Sequence, residues 1–393
     1  MSYHYAVIGA GRQGLAAAYD LAIYGEASCV TMMDSNEKAV QSASARINHL
    51  VGHQIAQGIK LDVCEQKAVK VALEGIDGFI SAVPYYYNLE LSKAAIRTKT
   101  HMTDMGGNEK VVDEQLALND EALQAGVSII PDCGMGPGMT GSLAAYGIGL
   151  MDKAEEVYIW DGGLPLNPKP PWNFQLTFHI NGLTNEYYGE ATFLREGRVV
   201  KLPTFSEYEL IDFPPIGQLE AFVTAGGTSS AIKAYQGQLR TYQNKTLRYP
   251  GHFEQFRAYK LLGLFEEEPI SFRGGKIVPR DFFHALLEPK IRPIPDYKDM
   301  CLIKVIVRGI KNKKPSEFTA ELIDRFDEKT GFTSMQRLTG WHTAIMLEMA
   351  TRGRAKKGVH GLEAAVSSVE FIAEVKKRGF HIKESFSSLQ DNK

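Results

Sequence analysis

Tyr3-His4-Tyr5-Ala6-Val7-Ile8-Gly9-Ala10-Gly11-Arg12-Gln13-Gly14 is the stretch that decides the fold, and Asp34 follows 20 residues after Gly14. Tyr3 to Ile8 reads as a short apolar strand, Leu15 to Ile23 as an Ala- and Leu-rich helix, and Cys29 to Met33 as a second strand ending at Asp34. An isolated G-x-G-x-x-G is only a turn. Flanked by strand, helix and distal acid in this order, it is the signature of a dinucleotide-binding unit. Gly9 permits the tight turn, Gly11 lets the backbone approach a pyrophosphate, and Gly14 lets helix and strand pack closely. The N–H groups at the helix start, around Arg12 and Gln13, then face the phosphates. Asp34 stands where an acid accepts hydrogen bonds from the adenosine ribose, and its charge repels a 2′-phosphate, so NAD is expected over NADP. Ser35 and Asn36 offer no positive charge to offset it; Arg12 weakens the preference if it swings toward the 2′ position.

Outward from this unit the alternation continues. Helices are predicted at Glu37 to Leu50, Gln66 to Leu73, Asn88 to Arg97 and Glu109 to Gln124, with strands at Lys60 to Val63, Gly78 to Val83, His101 to Met105 and Val127 to Pro131. Six strands with intervening helices imply a Rossmann-type, doubly wound parallel sheet, with ligands beyond the carboxyl ends of the strands. The loops at Ala82-Val83-Pro84-Tyr85, Asp104-Met105-Gly106-Gly107 and Asp132 to Gly138 are expected to line the site, with Val83 and Pro84 beside the nicotinamide. After about residue 150 the texture changes to a Pro-rich run and strand-like stretches at Val157 to Trp160, Gln175 to Ile180, Thr192 to Leu194, Val199 to Leu202, Glu220 to Thr224, Thr246 to Tyr249, Leu302 to Arg308 and Glu317 to Arg325. This reads as an α+β domain with a mainly antiparallel sheet. Helices at Thr343 to Thr351 and Leu362 to Arg378 are expected to return to the first domain. The expected organisation is a dinucleotide-binding domain over 1–137, an α+β substrate and oligomerisation domain over 138–338, and returning helices over 339–393, with the tail after Glu384 frayed.

With 393 residues the chain is long for one core. A net charge of −2 gives no electrostatic reason to expect nucleic acid or an anionic membrane as partner. The four cysteines are scattered, and Cys29 falls in a predicted strand as a reduced core thiol. No signal-peptide pattern precedes the first strand and no long apolar run occurs, so a cytoplasmic protein is expected. No grouping of Cys, His, Asp and Glu has metal-ligand spacing, and no metal is expected.

Several motifs converge on one family. The glycine loop, the tyrosine-rich loop after the fourth strand and Ile130-Pro131-Asp132-Cys133-Gly134-Met135-Gly136-Pro137-Gly138-Met139 resemble saccharopine dehydrogenase-like proteins. Gly162-Gly163-Leu164-Pro165, Glu220-Ala221-Phe222, Gly226-Gly227-Thr228-Ser229 and Lys245 to His252 are similar to the lysine 6-dehydrogenase branch, and the resemblance runs from residue 3 to about 380. It implies NAD-dependent oxidation of lysine at Cε, giving the 6-semialdehyde and ammonia. The alternatives are reductive joining of an amino acid to an aldehyde, as saccharopine reductases do, and an NAD-binding sensor without turnover.

Each reading assigns candidate residues. A substrate carboxylate calls for a guanidinium in a cleft, Arg248 first and Arg240 as alternative. The turn containing Thr228 offers N–H groups and hydroxyls, and one of Tyr85, Tyr86 and Tyr87 contacts substrate while the others pack. A proton acceptor is sought among Asp104, Asp132, His179 and His252; Asp104 is also a candidate anchor for the substrate nitrogen, and Asp132 a candidate cap for the helix beginning near Pro137. A predicted antiparallel sheet with an open edge or face favours a homodimer or homotetramer.

Overall fold

The computed structural model describes residues 2–389. The chain runs through six strands, β1 (Tyr3–Ile8), β2 (Ala27–Asp34), β3 (Ala56–Lys60), β4 (Gly78–Ser81), β5 (His101–Asp104) and β6 (Ser128–Ile130), each followed by helix. After the helix Met139–Leu150 come β7 (Lys153–Pro165), β8 (Glu190–Arg195), β9 (Arg198–Pro203), β10 (Glu209–Phe213), β11 (Gly217–Val223) and β12 (Thr241–Arg248). A small hairpin, β13 (Ile270–Phe272) and β14 (Gly275–Ile277), precedes the long hairpin β15 (Asp299–Lys311) and β16 (Lys314–Arg325). Last are the helix Ser334–Thr351, β17 (Gly358–Val359), the helix Ser368–Lys377 and β18 (Ile382–Ser388).

Seven strands form the first sheet in the order β17-β6-β5-β4-β1-β2-β3, all parallel. The order reverses between β1 and β4, the crevice where open α/β sheets hold ligands. The second sheet has nine strands along β10-β11-β12-β7-β15-β16-β18, with β8 and β9 off this path. It is mixed: β12 pairs with β7 in parallel, and the other neighbours are antiparallel. One face of it is covered. Val157 and Ile159 on β7, Ile303, Val305 and Val307 on β15, and Phe318 and Leu322 on β16 pack against Leu143, Ile345, Met349 and Phe371 from three helices. The helix Ser334–Thr351 is started by a capping box between Thr333 and Gln336, and Asp299 at the head of β15 accepts from the N–H groups of Ser334 and Met335. This clamps the start of that helix, which also lies along the helix Arg12–Tyr24, to the second sheet.

The structure corrects several predicted elements. The third strand ends at Lys60 because Asp62 turns the chain, accepting from the N–H of Cys64 at 2.9 Å. The helix predicted over Glu109 to Gln124 is two, Glu109–Leu116 and Asn119–Ala125. The one predicted over Leu362 to Arg378 also breaks, with Ser367 capping the second piece. Gln175 to Ile180 is not a strand: Leu176 donates to Ile291 O and His179 caps the helix Ile180–Tyr187. The tail after Glu384, expected frayed, continues as β18 to Ser388 because β16 offers a free edge; residues 390–393 lie outside the described part. β17 adds a strand to the six predicted. Cys29 is half-buried rather than in the core. Among the described residues no helix is long and apolar enough to cross a membrane.

Candidate active site

At the carboxyl end of β1 the glycine turn has the expected geometry. Gly9 has φ +113°, and a Cβ there would lie 2.5 Å from Ala82 O. A Cβ on Gly14 would stand 2.0 Å from Gly9 O, so helix and strand approach as closely as glycine allows. A Cβ on Gly11, by contrast, would meet nothing within 4 Å. The helix Arg12–Tyr24 has no side-chain cap and no acid in its first turn, so its leading N–H groups are left for an anion. A bare helix start beside an open cradle fits a pyrophosphate. Asp34 Oδ2 accepts from the N–H of Ala10 at 2.8 Å, and Oδ1 from that of Asn36 at 2.9 Å, which fixes the carboxylate beside the turn. Arg12 reaches across to the second part of the chain, donating to Leu176 O at 3.4 Å.

The next strand ends bring in side chains. Beyond β4, Val83 and Pro84 lead into the short turn Tyr85–Tyr87. Tyr85 lies over the loop after β5, its ring 3.2 Å from where a Cβ of Gly107 would stand. Tyr86 is exposed and Tyr87 receives the Cys64 thiol at 3.7 Å, so of the three only Tyr85 faces this loop. Asp104 is fully buried and fully used: Oδ1 accepts from the N–H groups of Gly106 at 2.8 Å and Asp132 at 3.2 Å, and Oδ2 from Gln115 at 2.8 Å. Burial raises its pKa and these donors oppose the rise. Its position is that of a strut between two loops.

Asp132 is different. Its backbone is left-handed at φ +59°, its Oδ2 accepts from the Ser229 hydroxyl, and its Oδ1 is buried without a partner. Burial first, and the neighbouring Asp104 second, push its pKa up to about 7. Ser229 is also left-handed, at φ +46°. Two strained residues facing each other across a hydrogen bond are an arrangement that functional sites retain. Asp132 caps nothing: the helix Met139–Leu150 begins after Gly138 with no side-chain cap. Thr228, the predicted member of this turn, donates instead to Thr192 O at 3.0 Å.

A second group of side chains stands behind this turn. Arg248, 4% exposed, donates from Nε to Tyr187 Oη at 2.8 Å and from Nη1 to Leu247 O at 2.9 Å. Its Nη2 is 3.6 Å from Glu186, and Phe174 lies 5.2 Å below the guanidinium. Burial pushes Glu186 up to about 7 and Asp161 up to about 6, opposed at Glu186 by the Arg248 charge and at Asp161 first by the Asn244 hydrogen bond and then by Arg248. Glu186 keeps 32% of its side chain exposed, so solvent tempers its rise. Asn244 donates to Gly227 O at 3.2 Å and also contacts Asp161, and the Asp161 carboxylate lies 2.6 Å from where a Cβ of Gly136 would be. The polar path therefore runs from Asp132 through the Gly227–Ser229 turn to Asn244, Asp161, Arg248 and Glu186. His252 shares Tyr187 Oη at 2.8 Å, and burial, then Arg248, lowers its pKa well below the ordinary value, so it stays neutral.

Two predicted residues lie elsewhere. Arg240 is on the surface with 66% of its side chain exposed, paired with Glu156, because it precedes β12 rather than sitting in its buried run. His179 is exposed, and its Nδ1 accepts from the N–H of Asn181 at 3.2 Å as a helix cap. Conversely, the structure brings in Asp161, Glu186, Tyr187 and Asn244, which no sequence motif marks. The available signal was slight: one acid in the apolar run Val157 to Gly163, and one before Tyr187-Tyr188.

Comparison with known proteins adds a family. Residues 5–130 match the saccharopine dehydrogenase NADP binding domain and residues 134–380 the saccharopine dehydrogenase C-terminal domain. Carboxynorspermidine synthase of Vibrio cholerae is 23% identical over 252 residues, 61% of this chain and 59% of that one. Saccharopine dehydrogenase [NADP(+), L-glutamate-forming] of Schizosaccharomyces pombe is 26% identical over 297 residues, 70% of this chain and 64% of that one. The matched stretches thus span less than two thirds of both relatives. Carboxyaminopropylagmatine dehydrogenase of Synechocystis sp. is 20% identical over 95% of each chain. Among solved structures, apo saccharopine dehydrogenase (L-Glu forming) from Saccharomyces cerevisiae superposes with a TM-score of 0.78 at 18% identity, covering 98% of this chain and 100% of that one, a likeness of fold.

Proposed function

The chain belongs to the saccharopine dehydrogenase family, and from that premise we propose that it is an NAD-dependent dehydrogenase that oxidises L-lysine at the ε carbon to an imine, which water hydrolyses to the 6-semialdehyde and ammonia. The observation that carries this reading is Asp132: a carboxyl with one unpartnered oxygen and a pKa pushed up to about 7, linked through the Ser229 turn to the buried Arg248 and the half-buried Glu186. When bound, the coenzyme supplies the hydride acceptor. Asp132 takes the proton from the reacting nitrogen and Asp104 holds the Asp132 backbone N–H in place. Arg248 receives the substrate carboxylate, and Glu186 beside it receives the α-ammonium. Tyr85 packs over the entrance from the first sheet.

Asp34 supports NAD. Among the described residues no Lys or Arg is paired with it, and its charge beside the turn opposes a 2′-phosphate. Relatives named as dehydrogenases of saccharopine and of carboxyaminopropylagmatine support a substrate with an amine nitrogen, and they favour a second reading with a secondary amine as donor. Nicotinamide absorbance distinguishes the readings. Reduction of NAD with L-lysine is the expected result, faster than with NADP. Reduction with saccharopine but not lysine selects the second reading, and coenzyme binding without turnover on any amine leaves a sensor.

A further inference from the structure

We infer that Glu363 is a second carboxyl of the Asp132 site, joined to it through the consecutive hydroxyls of Ser229 and Ser230, and that its charge controls the proton Asp132 holds. Resting on the proposed role of Asp132, this makes Glu363 a positioning residue, which acts through Asp132 without touching substrate. The seventh strand brings it there. β17 pairs in parallel with β6, Gly358 level with Ser128 and Val359 with Ile129. Parallel neighbours release their loops at the same end of the sheet, and Asp132 and Glu363 stand two and four residues beyond their strands. A Cβ on Gly361 would lie 2.5 Å from Glu363 Oε2 and closer still to Ser230 Oγ, so glycine is what admits the returning segment this near.

The two serines divide between the two acids. Ser229, left-handed at φ +46°, donates to Asp132 Oδ2. Ser230, back at φ −68°, donates to Glu363 Oε1 at 3.1 Å and Oε2 at 2.9 Å. Each carboxyl thus holds one half of a dipeptide whose other half is held by the second, and the low dielectric around Asp132 carries a charge on one to the other. Asp132 is 3% exposed, and the groups facing it are Asp104, Ser229, Glu363, the Gly107 N–H and the Cys133 thiol. Burial and then Asp104 raise its pKa most, Ser229 opposes them, and the Glu363 charge adds to the rise. Asp104 is sealed in with three donors, whereas Glu363 is half-buried and borders a surface groove. Around Glu363 stand Ser230, Tyr235 and Tyr242; Arg354 and Lys356 line the groove, and neither pairs with it. Glu363 is therefore the like charge beside Asp132 that water reaches.

Glu363→Gln keeps a carbonyl for Ser230 and removes the charge. Carbon-13 NMR of the carboxyl groups, with the Asp132 signal assigned by its loss in Asp132→Asn, follows the titration on the full chain with no substrate present. The Asp132 midpoint is expected to fall by roughly half a unit in Glu363→Gln and to return in Glu363→Asp, which restores the charge. The acidic limb of kcat/KM, with whichever amine reduces the coenzyme, is expected to fall by the same amount. A midpoint unchanged in Glu363→Gln overturns the inference. So does a fall that Glu363→Asp fails to reverse, which marks a contact and not a charge. A midpoint that moves while the limb stays in place upholds the pairing of the two acids and removes Asp132 as proton acceptor, a failure of the proposed reaction alone.

Discussion

The glycine turn after β1 and the side-chain cluster behind Ser229 are built in opposite ways. The first works through backbone. Its glycines clear space, its helix start leaves N–H groups unpaired, and everything it needs lies within residues 9 to 34. The second works through side chains from five separate places: Asp161 and Arg248 on two strands of the second sheet, Glu186 on a helix, and Asp132 and Ser229 on two loops. Backbone recognition tolerates changes of side chain but not of backbone room; side-chain recognition is the reverse.

The contrast is open to test, beginning with the largest effect. Asp132→Asn preserves shape, and Asn tolerates the left-handed backbone, so coenzyme affinity should hold while kcat falls roughly 10²- to 10⁴-fold. In the wild type, activity should rise with pH through about 7 as Asp132 ionises. Stability should run the other way. The folded pKa lies above the ordinary 3.8, so the stabilisation present below pH 4 is lost as pH rises through about 7, and the Asn variant should not show that loss in urea titrations. Arg248→Met leaves Glu186 and Asp161 without their cation and Tyr187 Oη without its donor; polar groups left unpaired in this way cost about 1–3 kcal/mol, read as a lower urea midpoint, with KM raised for amino acid and unchanged for coenzyme. If coenzyme affinity falls equally, the two halves are not separable.

On the other side, Gly11→Ala adds a methyl group to empty space at φ −73°, an ordinary angle for alanine. Stability should stay within about 0.5 kcal/mol of wild type while coenzyme Kd, measured by calorimetry, rises roughly tenfold. An unchanged Kd would mean that the pyrophosphate does not sit there. Ser229→Ala should be the mildest. It removes a donor that favours the ionised Asp132, so the acidic limb of the kcat/KM profile should move to higher pH, with a few-fold loss below it. A profile that does not move would leave Ser229 a purely structural contact.

Legibility followed the same division. The parallel sheet and its glycine turn were readable because each sits in a local pattern, and a strand end and a basic residue in a buried strand marked Asp132 and Arg248 as candidates, which the structure places along one polar path. Arg240 and His179 misled because an Arg or His near a strand looks the same whether it points to solvent or to the cleft. Asp161 and Glu186 went unread because their company is assembled by the pairing of β7 with β12 and by the helix Ile180–Tyr187, neither of which has a local mark. The mixed sheet was hidden for the same cause: the parallel pairing of β7 with β12 joins segments about eighty residues apart.

By itself the amino-acid order determined that a nucleotide-binding α/β sheet forms and where its turn lies, since short-range sterics and hydrogen bonding settle both. Only the tertiary structure decided which acid titrates. Asp104 and Asp132 end neighbouring strands, but Asp104 meets three donors and Asp132 is left with a bare oxygen in low dielectric, a difference made by groups that fold in from elsewhere in the chain.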